Sequence, residues 1–202
     1  MNLHTEAVPE PLWNLLQELM KDPHLSDFTL VGGTALALHY GHRQSVDIDL
    51  FCDHSFDPSK LGLSLTEHFQ LVHTSIESNS VSGVINGIKI DFMAHRYAMI
   101  APILEQDSIR LCSVEDIAAM KLNAIANRGS KKDFWDLFEL MQHFERSQLL
   151  GFFQEKYPKA NLWTVEKSLS WFEDADLDPD PRCLKGYTWA KIRSAISEWN
   201  RL

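Results

Sequence analysis

The sequence predicts an α/β fold: a small mixed β-sheet flanked by helices, followed by a C-terminal helical lobe. Three observations predict it. Short apolar runs with period-two alternation occupy the first half, interleaved with helical periodicity. Asn86-Gly87 stands between two such runs, a strong hairpin signal. Beyond about Leu111 the alternation stops and apolar residues recur at helical spacing. The expected division is an α/β core over 1–112 and a helical lobe over 113–202 that completes a cleft. A chain of 202 residues suits one core with an appended lobe.

Leu12, Leu15, Leu16 and Leu19 share one helical stripe, so the first helix is expected over Pro11 to Met20. Asp27 to Val31 reads as a strand, broken by Gly32-Gly33, with a helix resuming over Thr34 to Tyr40. Ser45 to Phe51 alternates Val46, Ile48 and Leu50 against Asp47 and Asp49, a strand with one apolar face. Pro58 to Phe69 reads as a helix. Val81 to Ile85 and Ile88 to Met93 form the hairpin. Ser113-Val114-Glu115-Asp116 opens a helix in the manner of a capping box. Helical spacing then runs to about Glu145, interrupted at Gly129-Ser130. Glu173 to Pro181 reads as an acidic loop, and Trp189, Ile192, Ile196 and Trp199 form the stripe of a last helix.

Hydrophobic residues make up 45% and charged residues 23%, which excludes a disordered chain or a disulfide scaffold. Lys plus Arg number 19 against 28 Asp plus Glu, a net charge of −9, so bulk charge does not hold nucleic acid. A local patch could: residues 182–202 hold five basic residues and one Glu, a charge of +4, and Arg128 to Lys132 is a second basic cluster. The plainer reading of such a run is a solvated helix face. Cys52, Cys112 and Cys183 lack CxxC spacing and read as free thiols. No run approaches the ~18 apolar residues of a membrane span. Glu6 and Glu10 make the N-terminus unlike a secretory leader. A cytoplasmic protein without a membrane partner is expected.

The chemistry concentrates in Leu30 to Phe51, LVGGTALALHYGHRQSVDIDLF. Glycines let a backbone approach a phosphate, and a helix N-terminus behind them favours an anion. Asp47 and Asp49, two apart on a strand, present carboxylates side by side. Such carboxylates repel unless a cation lies between them, and hard oxygen ligands suit Mg²⁺. Taken alone, the pair also fits the solvent face of an edge strand. Asp91, on the same strand face as Lys89, is a third carboxylate that a neighbouring strand could bring to the same metals. Ile117, Lys121, Ala124 and Arg128 share a narrow helical stripe, which suits a cleft holding anions or aliphatic stems lying over a core. Asp133 reads locally as the acid of a capping box on Ser130, and Lys132 and Asp136 as an i,i+4 pair. His39 and His42 lack a ligand partner and read as surface or supporting residues. The six tryptophans read as core.

These features together resemble the polymerase-β-type nucleotidyltransferase superfamily, and within it the AbiEii-type nucleotidyltransferases, toxins of type IV toxin–antitoxin pairs. The matching residues are Gly32-Gly33-Thr34, Arg43-x-Ser45-x-Asp47-Ile48-Asp49-Leu50, Lys89-x-Asp91-Phe92, Glu115 with Lys121, and Arg128-x-x-x-Lys132-Asp133-x-x-Asp136-Leu137. They span Leu30 to Met141. The resemblance implies a nucleotidyltransferase fold that moves an NMP from an NTP to an acceptor hydroxyl and releases pyrophosphate. It implies two Mg²⁺ ions on Asp47, Asp49 and Asp91, with Asp91 also helping to activate the acceptor. Gly32, Gly33, Thr34 and Ser45 would cradle the triphosphate, and Lys121 would touch its phosphates. Arg43, Lys89, Arg128, Lys132, Asp133 and Asp136 would complete the nucleotide site. Implied partners are an NTP, tRNA as acceptor and a cognate antitoxin. The family often has Gly-Ser where this chain has Gly-Gly, which shifts the expected hydroxyl contact to Thr34 or Ser45. Two rival expectations remain: the same chemistry on a small molecule such as an antibiotic, and an inactive fold that binds a partner.

Overall fold

The computed structural model describes residues 2–201. Helix α1 (Glu10–Lys21) precedes strand β1 (Thr29–Leu30) and helix α2 (Gly32–Tyr40). Strand β2 (Ile48–Cys52), helix α3 (Pro58–Phe69) and strands β3 (Val72–Glu77), β4 (Ser80–Ile85), β5 (Ile88–Ala94), β6 (Leu104–Gln106) and β7 (Ile109–Leu111) follow. The remainder is helical: α4 (Val114–Asn127), α5 (Lys131–Leu140), α6 (Arg146–Lys156), α7 (Leu162–Ser168), α8 (Glu173–Leu177) and α9 (Trp189–Trp199).

The strands form one seven-stranded mixed sheet in the order β3-β4-β5-β2-β1-β7-β6. β2 runs parallel to β5 and β1 parallel to β7, and the other pairs are antiparallel. The mixed α/β architecture and the helical second half match the sequence reading. Asn86 and Gly87 both have positive φ (51° and 80°), as a type I′ turn requires. Asp107 and Ser108 repeat that conformation (51° and 62°) between β6 and β7. That hairpin escaped the sequence reading because neither residue is glycine.

Three boundaries differ, each for a reason outside the local pattern. β1 is two residues long, because Val31 turns directly into α2 as its N-cap. α2 begins at Gly32, so both glycines lie in its first turn. β2 begins at Ile48 instead of Ser45, because the preceding residues bond elsewhere: Gln44 N–H donates to Arg182 O and Ser45 N–H to Ala7 O. Asp47 therefore sits at the mouth of the strand. The expected acidic loop holds the short helix α8, and α6 and α7 lie beyond the recognised region.

One hydrophobic cluster runs from Val8 to Ile196 and joins the sheet to the helical half. Trp135 is buried in it, but Trp163 and Trp171 are exposed, against the expectation of core packing. Among the described residues no helix is long and apolar enough to cross a membrane.

Candidate active site

The parallel pairing of β2 and β5 sets Asp49 directly opposite Asp91 in register. The two carboxylates come from residues 42 positions apart, and the sheet makes them neighbours. Asp49 is pressed against α2. A Cβ at Gly32 would lie 2.6 Å from Asp49 Oδ2, and Gly32 has φ +70°, so the glycine is required both for its conformation and for the approach. Burial raises the Asp49 pKa above the ordinary range; Lys121 opposes this, while Asp91 and Asp47 add to it. An acid placed there gains from an added cation. Asp47 is half-buried at the strand mouth, and its carbonyl accepts the Thr34 hydroxyl.

Behind the acids lies a buried ionic network. Asp136, fully buried, accepts Arg43 through Nε (2.6 Å) and Nη2 (2.9 Å). It also holds Lys121 Nζ at 2.7 Å and His42 Nε2 at 2.7 Å. Asp133, also fully buried, takes Lys121 Nζ at 3.1 Å and Arg128 at 2.8 and 3.0 Å, and accepts the Ser130 hydroxyl at 2.7 Å. Burial alone would raise the Asp133 carboxyl, but Lys121 and Arg128 outweigh it and hold it at about 2. Asp136 is likewise held well below its ordinary value, with Arg43 and Lys121 overcoming desolvation.

The network shows where the expected site residues stand in the ligand-free chain. Asp133 and Asp136 grip cations and present no free oxygen row to a nucleotide. Ser130 donates to the Asp133 side chain instead of capping α5. Lys132 faces Asp47 at 3.7 Å and does not pair with Asp136. Lys121, only 5% exposed, is bound to two carboxylates. Thr34 and Ser45 are buried and bonded to each other at 2.8 Å, which uses the hydroxyls expected at phosphate. A Cβ at Gly33 would fall on the Arg43 guanidinium, so this glycine makes room for an arginine. His42 and His39 are buried, so of the two readings the surface one fails and His42 is a supporting residue, on Asp136; His39 Nε2 lies 3.1 Å from Cys112 O. Lys89 Nζ lies 2.7 Å from Asp91 Oδ2, as their shared strand face predicted.

Two cavities open from the acids. One, lined by Gly32, Asp49, Met93, His95, Lys121 and Arg128, lies between β2 and α4. The other lies on the Asp47 side, walled by Ser45, Lys132 and the segment Asp178 to Arg182. Sequence reading missed that segment because its contacts are long-range. Lys131 N–H donates to Asp178 Oδ2 (2.9 Å) and Lys131 Nζ to Asp180 Oδ1 (3.0 Å). Arg43 forms a β-bridge with Cys183. The buried pair Lys156–Asp116 (2.5 Å) was also missed; Asp116 accepts the backbone N–H groups of Ile100 and Ala101, fixing the loop after β5. Two of the five basic residues of the C-terminal run are paired: Lys185 with Glu139 (2.7 Å) and Arg193 with Asp176 (2.9 Å).

As the side chains stand, no three His, Cys, Asp or Glu groups among the described residues converge closely enough to hold a metal ion. The donor chemistry of Asp47, Asp49 and Asp91 nevertheless fits a hard divalent ion: all are carboxylates, two are register partners, and desolvation of Asp49 disfavours its charge unless a cation is near.

The sequence matches the family described as "Nucleotidyl transferase AbiEii toxin, Type IV TA system" over residues 14–195. It is 36% identical over 160 residues to an uncharacterized Aquifex aeolicus protein, aq_aa25, covering 74% of this chain and 76% of that one. Its fold is similar to JHP933 from Helicobacter pylori (TM-score 0.58, 18% identity, 96% and 92% of the two chains). It is also similar to MenT4, a nucleotidyltransferase toxin from Mycobacterium tuberculosis (TM-score 0.53, 13% identity, 93% and 84%).

Proposed function

The chain belongs to the AbiEii family of nucleotidyltransferase toxins, and on that premise we propose that it transfers a nucleoside monophosphate from an NTP to an acceptor hydroxyl. In that reaction the acceptor oxygen bonds to the α-phosphorus, the bond to the β-phosphate bridge breaks, and pyrophosphate leaves. The observation that carries the reading is Asp49, held against Gly32 in a cleft, opposite Asp91 and beside Asp47. These three acids would hold two Mg²⁺ ions, which supply charge neutralisation at the phosphates.

The remaining roles belong to the chain's own groups. Asp91 lies at the acceptor side and takes the hydroxyl proton. The first turn of α2, with Gly32 and Gly33, offers N–H groups to an anion. Arg128, just beyond α4, is more than half exposed and lies at the cleft mouth on Asp133, where it can also face a phosphate. Lys121 and Arg43 act by field from beneath, and Asp133 and Asp136 position them. Thr34 and Ser45 act indirectly by fixing the Asp47 backbone.

The acceptor is a nucleic-acid hydroxyl, with tRNA the first candidate, and a cognate antitoxin is the expected protein partner. Family membership supports the antitoxin, and the acceptor is what the following assay decides. The test uses each labelled NTP with Mg²⁺ and total tRNA, beside an Asp47→Ala/Asp49→Ala control. Label should move to RNA and be lost in the control. Nucleotide binding without label transfer would redirect the search to small hydroxylated acceptors, and binding of neither metal nor nucleotide would overturn the catalytic reading.

A further inference from the structure

The site holds two kinds of cation. Arg43 and Lys121 are buried, each with fixed carboxylate partners. Lys89 and Lys132 are about half exposed or more, and each reaches one candidate metal ligand: Lys89 Nζ lies 2.7 Å from Asp91 Oδ2 and Lys132 Nζ 3.7 Å from Asp47 Oδ2. Exposed pairs of this sort are weak and release readily, whereas buried ones do not.

The charges explain their placement. Asp133 and Asp136 set against Arg43, Lys121 and Arg128 leave the buried network with one surplus positive charge. Lys89 and Lys132 add two more, so the three carboxylates Asp47, Asp49 and Asp91 are balanced within the chain. Two divalent ions and a fully ionised nucleoside triphosphate carry no net charge together, so they leave that balance intact, while the carboxylate oxygens the ions need are those that Lys89 and Lys132 face.

We propose that Lys89 and Lys132 are displaceable counter-cations, holding Asp91 and Asp47 in the nucleotide-free protein and passing to the phosphates when metal and nucleotide enter. This rests on the nucleotidyl-transfer reading of the site. It gives the two lysines opposite effects on the two ligands, a signature that a purely structural role would not produce. Removing either charge favours a bare metal ion, which competes for the carboxylate, and disfavours the metal–nucleotide complex, which needs the lysine.

The experiment titrates Mn²⁺ without nucleotide, reading free ion by electron paramagnetic resonance, for wild type, Lys89→Met and Lys132→Met. Calorimetry with a non-hydrolysable NTP in saturating Mn²⁺ follows. Each variant is expected to bind Mn²⁺ about two- to five-fold tighter and the nucleotide about two- to five-fold more weakly. Lys89→Arg, which keeps the charge, should stay near wild type in both titrations. Mn²⁺ affinity left unchanged or weakened in both Met variants overturns the exchange while leaving the transfer reading in place. A wild type that binds neither Mn²⁺ nor nucleotide overturns both.

Discussion

At the scale of single residues the site is governed by which charges are paid off inside the protein. Asp49 is the acid least well compensated. Asp49→Asn should therefore abolish transfer and also raise Tm by about 2–4 °C, the shift that about 1 kcal/mol gives in a chain of this length. A melting curve decides it, and an unchanged or lower Tm would show that Asp49 is not strained by its surroundings. Asp136 is the converse case. Replacing it with Ala strands Arg43 in the interior, leaves Lys121 with Asp133 alone, and should cost about 3–5 kcal/mol in urea unfolding. Asp133 adds a pH dependence. Its folded carboxyl titrates at about 2, below the ordinary 3.8. Its contribution is thus complete above about pH 5 and is lost as the pH falls through 2. Asp133→Asn should flatten the urea midpoint over that window. All these acids were visible in the sequence as a list. That two of them serve the cations was not, because their partners lie 90 or more positions away for Arg43 and His42.

At the scale of elements, the first turn of α2 is where sequence and geometry agree best. Gly-Gly after an apolar run pointed to close approach, but the groups that approach are Asp49 and Arg43 of the chain itself. Gly33→Ala should push Arg43 off Asp136, and Gly32→Ala adds strain at φ +70° while displacing Asp49. We expect both to lose transfer, with Gly32→Ala costing about 1–3 kcal/mol; nucleotide titration beside thermal melting checks each. A Gly33→Ala variant with wild-type activity would mean that Arg43 placement is dispensable. The period-two pattern located β2 but overextended it. Val46 alternates with Ile48 yet is exposed, since residues 44 and 45 bond to Arg182 and Ala7. No local periodicity carries that information. β3 was invisible for another reason: as an edge strand it is exposed throughout and has no buried face to mark it.

At the scale of the whole molecule, the two halves are tied at two points that no motif announces. Lys156 on α6 reaches Asp116 on α4, and through it the backbone of Ile100 and Ala101. Lys156→Met should leave Asp116 buried without its cation and cost about 3–5 kcal/mol. Hydrogen exchange at Ile100 and Ala101 should rise with it, and unaltered protection there would show that the loop is held by other contacts. The second tie is the segment from Asp178 to Leu184, which fastens to Lys131, Gln44 and His42. The mixed sheet and helical lobe followed from pattern alone, but both ties needed the folded chain to be seen.

That second tie has a consequence for the order in which the protein is made. Translation delivers Arg43 and the acids of β2 well before the strand partner of Arg43, Cys183, which follows 140 positions later. A nascent chain can build its sheet while still lacking the outer wall beside Asp47. The pocket beside Asp47 is thus closed by chain that follows the acids by more than a hundred residues, and it takes shape only once that later segment has docked.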